Sequence, residues 1–330
     1  MKECFRFKPK EPLNFKFSSQ IEKHLLSSVF GFCVGDALGV PVEFTSREDR
    51  KNDPVKEMRA YGTHRQYFGT WSDDTSMTLC LVESLIENRK LDLASLAESF
   101  CDFYYNNYWT PFNNVFDLGN ATTKAIEKMK NGISPVECGG EKESDNGNGS
   151  LMRVLPLAFY LQQSNANERI KTIEDVSSLT HRHNRSKLAC IIYVQFIIEL
   201  LRHLDDKHIA YKRTMDFVQS ACADKYKAEF HAFERVLNGK LLLADEREIK
   251  SSGYVIDSLE AALWVFMTTE SYEEAVLRAI NLGGDTDTIA AITGGLAGIK
   301  YGIESIPDRW LQSLARKDDI YNLLMRFYSQ

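Results

Sequence analysis

Apolar residues recur at three- and four-residue spacing along most of this chain, and strand-like alternation is nowhere sustained. From Ile21 onward, Leu25, Val29, Phe32 and Cys33 share one helical face. Met77, Leu81 and Leu85, with Val82 and Ile86, repeat at i+4 behind Ser72 and Asp73, either of which can cap that helix. Asp92 opens a helix through Tyr105, and Gly132 closes one running from Thr122 to Met129. Arg185 to Leu204 reads as the most apolar helix, with others expected near 211–222, 228–238 and 254–267. Ser271 and Glu274 have capping-box spacing. Ile289, Ile292, Leu296 and Ile299 mark a further helix whose other faces carry alanine and glycine, small enough for neighbours to cross closely. The pattern predicts an all-α, compact single-domain multi-helix fold over residues 25–330. An N-terminal extended arm, residues 1–24, precedes it, where Pro9 and Pro12 discourage a helix.

Composition narrows the classes. With 330 residues, 44% of them hydrophobic, the chain can bury a full core. A net charge of −6 without a long basic block argues against a nucleic-acid partner. Seven dispersed cysteines without a CxxC pair read as reduced thiols, not as a disulfide framework or a zinc site. No signal-peptide core is present, and the apolar stretch from Ile191 to Leu201 is interrupted by Gln195 and Glu199, too short and polar to span a bilayer. A soluble cytoplasmic protein with no membrane partner is expected. The arm interleaves Phe5, Phe7, Phe15 and Phe17 with Arg6, Lys8, Lys10 and Lys16. It either lies on its own domain or reaches an acidic groove on a partner.

Chemistry concentrates in two stretches, Ser72-Asp73-Asp74-Thr75 and Asp285-Thr286-Asp287-Thr288. Each pair of aspartates could serve only as helix caps, worth about 0.5–2 kcal/mol per cap. Two such pairs, both embedded among small or apolar residues, point instead to a shared cation. Oxygen donors without cysteine select hard ions, so two Mg²⁺ or Mn²⁺ ions, about 3.5–4 Å apart, are expected. Glu43, between Val42 and Phe44 just past Pro41, is either a solvated loop acid or a pocket acid with a tuned pKa. Gly147-Asn148-Gly149-Ser150 opens onto a helical run, a ready phosphate site or simply a turn. His181 and His183 suit substrate contact or loop polarity better than an oxygen-rich metal site.

Taken in order, these motifs resemble the ADP-ribosylglycohydrolase family, over about residues 27–303. They are Gly35-Asp36-Ala37-Leu38-Gly39 with Glu43, Asp73-Asp74-Thr75, Asp117-x-Gly119-Asn120, Gly147 through Arg153, the His181 loop, Ser252-Gly253-Tyr254, and Gly283 through Thr288. The resemblance implies an all-α fold with a dinuclear metal cleft. It implies Ser72, Asp73, Asp74, Asp285, Asp287 and Thr288 as metal ligands, and Glu43 and Asp117 as the catalytic acids. It implies Asn120 in the same site, Gly147, Asn148, Gly149 and Ser150 around a diphosphate, and His181 and Tyr254 beside the ADP-ribose. Two departures stand out: Ser72 replaces a frequent threonine but keeps the hydroxyl, and the histidine loop lacks the family's prolines.

The expected activity is metal-dependent hydrolysis of the N-glycosidic bond that joins ADP-ribose to a modified protein side chain, foremost arginine. Glu43 or Asp117 would act as general base or protonate the leaving group. Two alternatives are a non-catalytic ADP-ribose-binding protein and an immunity-type protein that reverses a toxin's ADP-ribosylation while binding the toxin through residues 1–24. A generic metal phosphatase explains the glycine loop less simply.

Overall fold

A computed structural model of the chain describes residues 15–328 apart from Arg89, so most of the expected arm lies outside the described residues. The chain opens with α1 (Gln20–Gly39), α2 (Arg47–Asn52), α3 (Asp73–Asn88) and α4 (Leu93–Asn106). Next come α5 (Asn120–Lys130), α6 (Leu155–Tyr160), α7 (Ala166–Ser178), α8 (Asn184–Arg202) and α9 (Lys207–Ala221). Two short helices, α10 (Ala223–Tyr226) and α11 (Glu234–Leu237), lead to α12 (Val255–Met267), α13 (Tyr272–Asn281) and α14 (Thr286–Tyr301). The chain finishes with α15 (Asp308–Ser313) and α16 (Lys317–Met325). Among the described residues no strand forms; isolated bridges link Tyr61 to Gln66, Gly140 to His181, and Gly147 to Tyr254.

Two boundaries differ from expectation. Ser19 caps α1 through the Glu22 N–H, so residues 20–24 begin the first helix and do not end an extended arm. The helix expected over 228–238 is mostly a run of turns. Bonds from Glu229 N to Tyr226 O and from Ala232 N to Glu229 O span three residues, not four, and only α11 is regular.

The central contact is the crossing of α1 and α14, and it depends on glycine. A Cβ on Gly35 would lie 2.2 Å from the Ala290 carbonyl oxygen, and one on Gly294 would lie 2.3 Å from that of Gly31. Backbones this close let a side chain reach a main-chain acceptor across the interface, Ser28 Oγ donating to Gly295 O at 3.0 Å, and from α13 Tyr272 Oη donates to Gly31 O at 2.7 Å. Residues 20–42 are long and apolar enough to cross a bilayer, but their most apolar 18-residue stretch is entirely buried inside the protein and forms part of its core. For the site, the consequence is position. The crossing holds the C-terminal end of α1 against the first turn of α14, where Thr286 Oγ1 donates to Gly39 O at 2.8 Å.

Candidate functional site

Three helix ends meet at one point. Asp36, in the last turn of α1, accepts from the backbone N–H groups of Ser72 (2.9 Å) and Thr75 (3.1 Å), and from Thr75 Oγ1 (2.6 Å). An aspartate of one helix thus caps the N-terminus of another, α3, where a carboxylate also complements the helix dipole. That bond fixes Asp73 and Asp74 in the first turn of α3. Ser72 Oγ donates to Asp74 Oδ2 at 2.8 Å, and Thr288 Oγ1 from α14 donates to the same oxygen at 3.2 Å. The two acidic stretches are therefore in direct contact. Carboxylate oxygens of Asp36, Asp74 and Asp287 lie within 4.8 Å of one another, and so do those of Glu43, Asp285 and Asp287.

The second stretch is set by the glycines before it. Gly283 and Gly284 have φ of 71° and 76°, conformations that a side chain disfavours. Gly284 exchanges backbone bonds with Phe44 and Thr45, and Asp285 N donates to Ser251 O at 2.8 Å. A Cβ on Gly284 would stand 2.0 Å from that same Ser251 oxygen. The turn delivers Asp285 beside Asn148, whose Nδ2 donates to Asp285 Oδ2 at 2.8 Å.

Burial and mutual repulsion push these carboxyls up. Asp73 and Asp74 are held well above the ordinary carboxylate range by desolvation first, then by the charges of Asp117 and Asp36 respectively. Asp287 is raised well above it by burial, then by Glu43 and Asp117. No lysine or arginine forms an ion pair with Asp73, Asp74, Asp285 or Asp287 among the described residues. Asp74 Oδ1, Asp285 Oδ1 and Asp287 Oδ2 are buried without a hydrogen-bond partner. Acceptors this costly to leave unmatched, drawn entirely from oxygen, fit a hard divalent cation. The acidic clusters can hold metal.

Beside this floor stands a second group. Glu43 follows a single 3₁₀ turn, Val40–Val42, and is buried. His64 Nε2 is hydrogen-bonded to Glu43 Oε2 and lies 3.7 Å from Asp117 Oδ1. The turn bearing His64 is fastened to the Glu43 segment: Thr63 N donates to Pro41 O at 3.1 Å and Thr63 Oγ1 to Glu43 O at 2.7 Å. Asp117 reaches the same place on left-handed backbone, φ 63°. Burial, then the Asp285 charge, raises Glu43 to about 8; burial, then Glu43, raises Asp117 to about 8.

A cavity of about 300 Å³ opens over both groups. Glu43, Asp73, Asp117, Asn120, Asp285 and Thr288 line it, together with Gly147, Asn148, Gly149 and His181. Ser72, Asp74 and Asp287 lie beneath that lining. The His181 ring packs under the glycine loop, where a Cβ on Gly149 would sit 2.9 Å from Cε1. Burial, reinforced by the nearby Arg153 charge, lowers His181 to about 3, so the imidazole is neutral. The structure departs from expectation at two residues, Ser150 and Tyr254. Ser150, expected at the diphosphate, turns its hydroxyl into the core, 3.0 Å from Ser177 Oγ and 3.4 Å from Cys190 Sγ. The Tyr254 backbone pairs with Gly147, but its ring is not part of the lining, and its hydroxyl accepts from Arg185 at 2.9 Å. His183 caps α8, its Nδ1 accepting from Arg185 N at 3.1 Å.

Two residues of the site went unsingled in the sequence. Asp36 appears there only within a glycine-rich motif, inside an apolar helix. His64 sits in a polar, aperiodic stretch, and its signal, a histidine among aromatic residues, is weak.

Comparison with known proteins places the chain in a family. The chain is 32% identical over 308 residues to the ADP-ribosylarginine hydrolase Tri1 of Serratia proteamaculans, covering 91% of this chain and 78% of the relative. It is 28% identical over 307 residues to the ADP-ribosyl-[dinitrogen reductase] glycohydrolase of Rhodospirillum rubrum, covering 90% and 92%. A solved structure described as an ADP-ribosylglycohydrolase-related protein complex superposes with a TM-score of 0.75 at 30% identity, covering 94% of this chain and 98% of its own. The ADP-ribosylglycohydrolase family model matches residues 18–330, and the chain belongs to that family.

Proposed function

We propose that this glycohydrolase releases ADP-ribose from arginine side chains of modified proteins, with two Mg²⁺ or Mn²⁺ ions as cofactors. One observation carries the reading. Paired acids, Glu43 and Asp117, share one cavity with an aspartate cluster and a glycine loop. The relatives named for hydrolysis of ADP-ribosylarginine support the choice of arginine over other linkages.

Asp73, Asp74, Asp285 and Asp287, with the hydroxyls of Ser72 and Thr288, would hold the ions. Bound there, divalent ions supply a grip on the ribose hydroxyls and acidify a water. The remaining work falls to the chain. Gly147, Asn148 and Gly149 line the cavity, and a loop with two glycines lets a diphosphate approach its backbone. Neutral His181 supports that loop without adding charge. Glu43 and Asp117 stand together at the cavity beside His64, so one can protonate the leaving glycosidic nitrogen while the other takes a proton from the attacking water. We assign the reaction to the cytoplasm. All six described cysteines are free, which supports a reducing compartment.

The test is turnover by the purified chain of arginine-linked, serine-linked and polymeric ADP-ribose, each with Mg²⁺, with Mn²⁺ and in EDTA. Preferred release from arginine that EDTA abolishes is expected. Full activity in EDTA, or none on any acceptor, sinks the proposal.

A further inference from the structure

The mouth of the cavity carries a feature that neither the ions nor the diphosphate requires. Phe44, at the lining, is 67% exposed, and Tyr61, Tyr67 and Phe112 beyond it are 60%, 62% and 41% exposed. These rings are not scattered. Phe44 lies 5.9 Å from the His64 ring, and His64 lies 5.1 Å from Phe116. Farther out, Tyr67 lies 5.5 Å from Phe112 and 6.4 Å from Tyr61. The turn at 61–67 and the loop at 112–117 therefore touch twice, first beside the catalytic acids and again at the surface. Together they make one aromatic strip running outward from Glu43.

Large aromatic side chains left this wet lose the free energy that burial would return, unless a partner covers them. Their position names the partner. In the reaction proposed above, on which this inference rests, the bond to be cut joins a ribose inside the cavity to a polypeptide outside it. Whatever bears the scissile nitrogen at Glu43 and Asp117 must continue over the residues next to those acids. Phe44 belongs to both the cavity and the strip, so the surface is continuous with the substrate site. Aromatic residues also supply contact area at low entropic cost and dominate many protein interfaces. We propose that the strip of Phe44, Tyr61, Tyr67 and Phe112 docks the polypeptide that carries the ADP-ribosylated arginine. It acts on the protein part of the substrate and leaves the ADP-ribose to the cavity.

Two substrates separate this surface from the chemistry: an arginine-ADP-ribosylated protein and a small ADP-ribosylated guanidine with no polypeptide. Tyr67→Ala and Phe112→Ala, singly and together, remove exposed rings outside the cavity, so the fold and the basal reaction should persist. With the double variant, kcat/KM for the modified protein should fall about tenfold, chiefly through KM, as truncating interface aromatics does. Turnover of the small guanidine should stay unchanged, and Tyr67→Phe should keep nearly full activity on the protein. Undiminished protein turnover in the double variant overturns the proposal, and so does an equal fall on both substrates. If the wild-type chain hydrolyses neither substrate, the function itself fails, and this surface loses its assigned role with it.

Discussion

The floor of the site and its wall are built on opposite terms. On the floor, Asp36, Asp74 and Asp287 stand on the ends of three regular helices, α1, α3 and α14, and the closest points of the α1–α14 crossing admit only glycine. Its tension is electrostatic: buried acids crowd together with three unpartnered oxygens. The wall, Glu43, His64 and Asp117, rises from irregular segments. Seven of the eight described non-glycine residues with left-handed backbone lie within 44–65 and 107–117. Its tension is conformational. Strain of this kind costs about 1–3 kcal/mol per residue and persists where the surroundings over-determine it. The difference teaches how the labour divides: regular structure concentrates charge where a cation can sit, and strained loops place Glu43, His64 and Asp117 beside it.

The largest expected effect lies on the floor. Asp287→Asn should lower kcat about 10²–10³-fold, the scale of losing one charge-stabilising group from an active site. In EDTA the same variant should unfold at a higher temperature than wild type, because it removes one buried, repelled carboxylate. Lower stability in EDTA would mean that Asp287 is needed for the fold itself, and the electrostatic account of the floor would fail.

That same contrast explains what could be read from the sequence. The floor was legible because its acids open helices: Ser72-Asp73-Asp74 and Asp285-x-Asp287 each precede an apolar repeat, and a helix start limits where the side chains can go. Asp36 was obscured because it ends an apolar helix, and its role, capping α3 across 36 residues of sequence, is a tertiary fact. The wall left far less trace. Asp117 was found through family resemblance alone, and His64 lies where no period constrains it. Ser150 shows the opposite failure. Its motif marked the loop correctly, but the turn after Gly149 sends the hydroxyl into the core. The all-α class followed from spacing, and the small residues of α14 correctly foretold a close crossing. Which helix would cross it was not written locally, since Gly31 and Gly35 meet α14 only in the folded chain.

On the wall, His64→Ala should reduce kcat by about 10–100-fold with little change in KM, the usual cost of removing a group that orients an active one. His64→Gln, which keeps a donor for Glu43, should recover part of that loss. A change confined to KM would instead make His64 a substrate contact.

Acidity probes both regions at once without mutation, and two groups of the wall set the window. Glu43 and Asp117 titrate at about 8 in the folded chain, against ordinary values of 4.5 and 3.8. The unfolded chain therefore loses these protons first as pH rises. Their contribution to stability is complete below the ordinary values and is lost as pH climbs through about 8. Thermal unfolding in EDTA should show the midpoint falling across that window, and saturating Mg²⁺ or Mn²⁺ should flatten the slope. A midpoint in EDTA that rises steadily from pH 5 to pH 8 would contradict the repulsion inferred at this site.

The smallest effect probes strain at the wall. Arg65, exposed in the turn that carries His64, has φ 55°. A side chain in that conformation costs about 1–2 kcal/mol, while glycine there costs about 0.5–1 kcal/mol in unfolded-chain entropy. Arg65→Gly should therefore stabilise the protein by about 0.5 kcal/mol, measured by urea unfolding. Gly284 on the floor has φ 76° and backbone 2.0 Å from where a Cβ would stand, so there the same exchange in reverse can only destabilise. If Arg65→Gly loses more than about 1 kcal/mol, the arginine side chain is holding the turn. Strain would then not be what separates the wall from the floor.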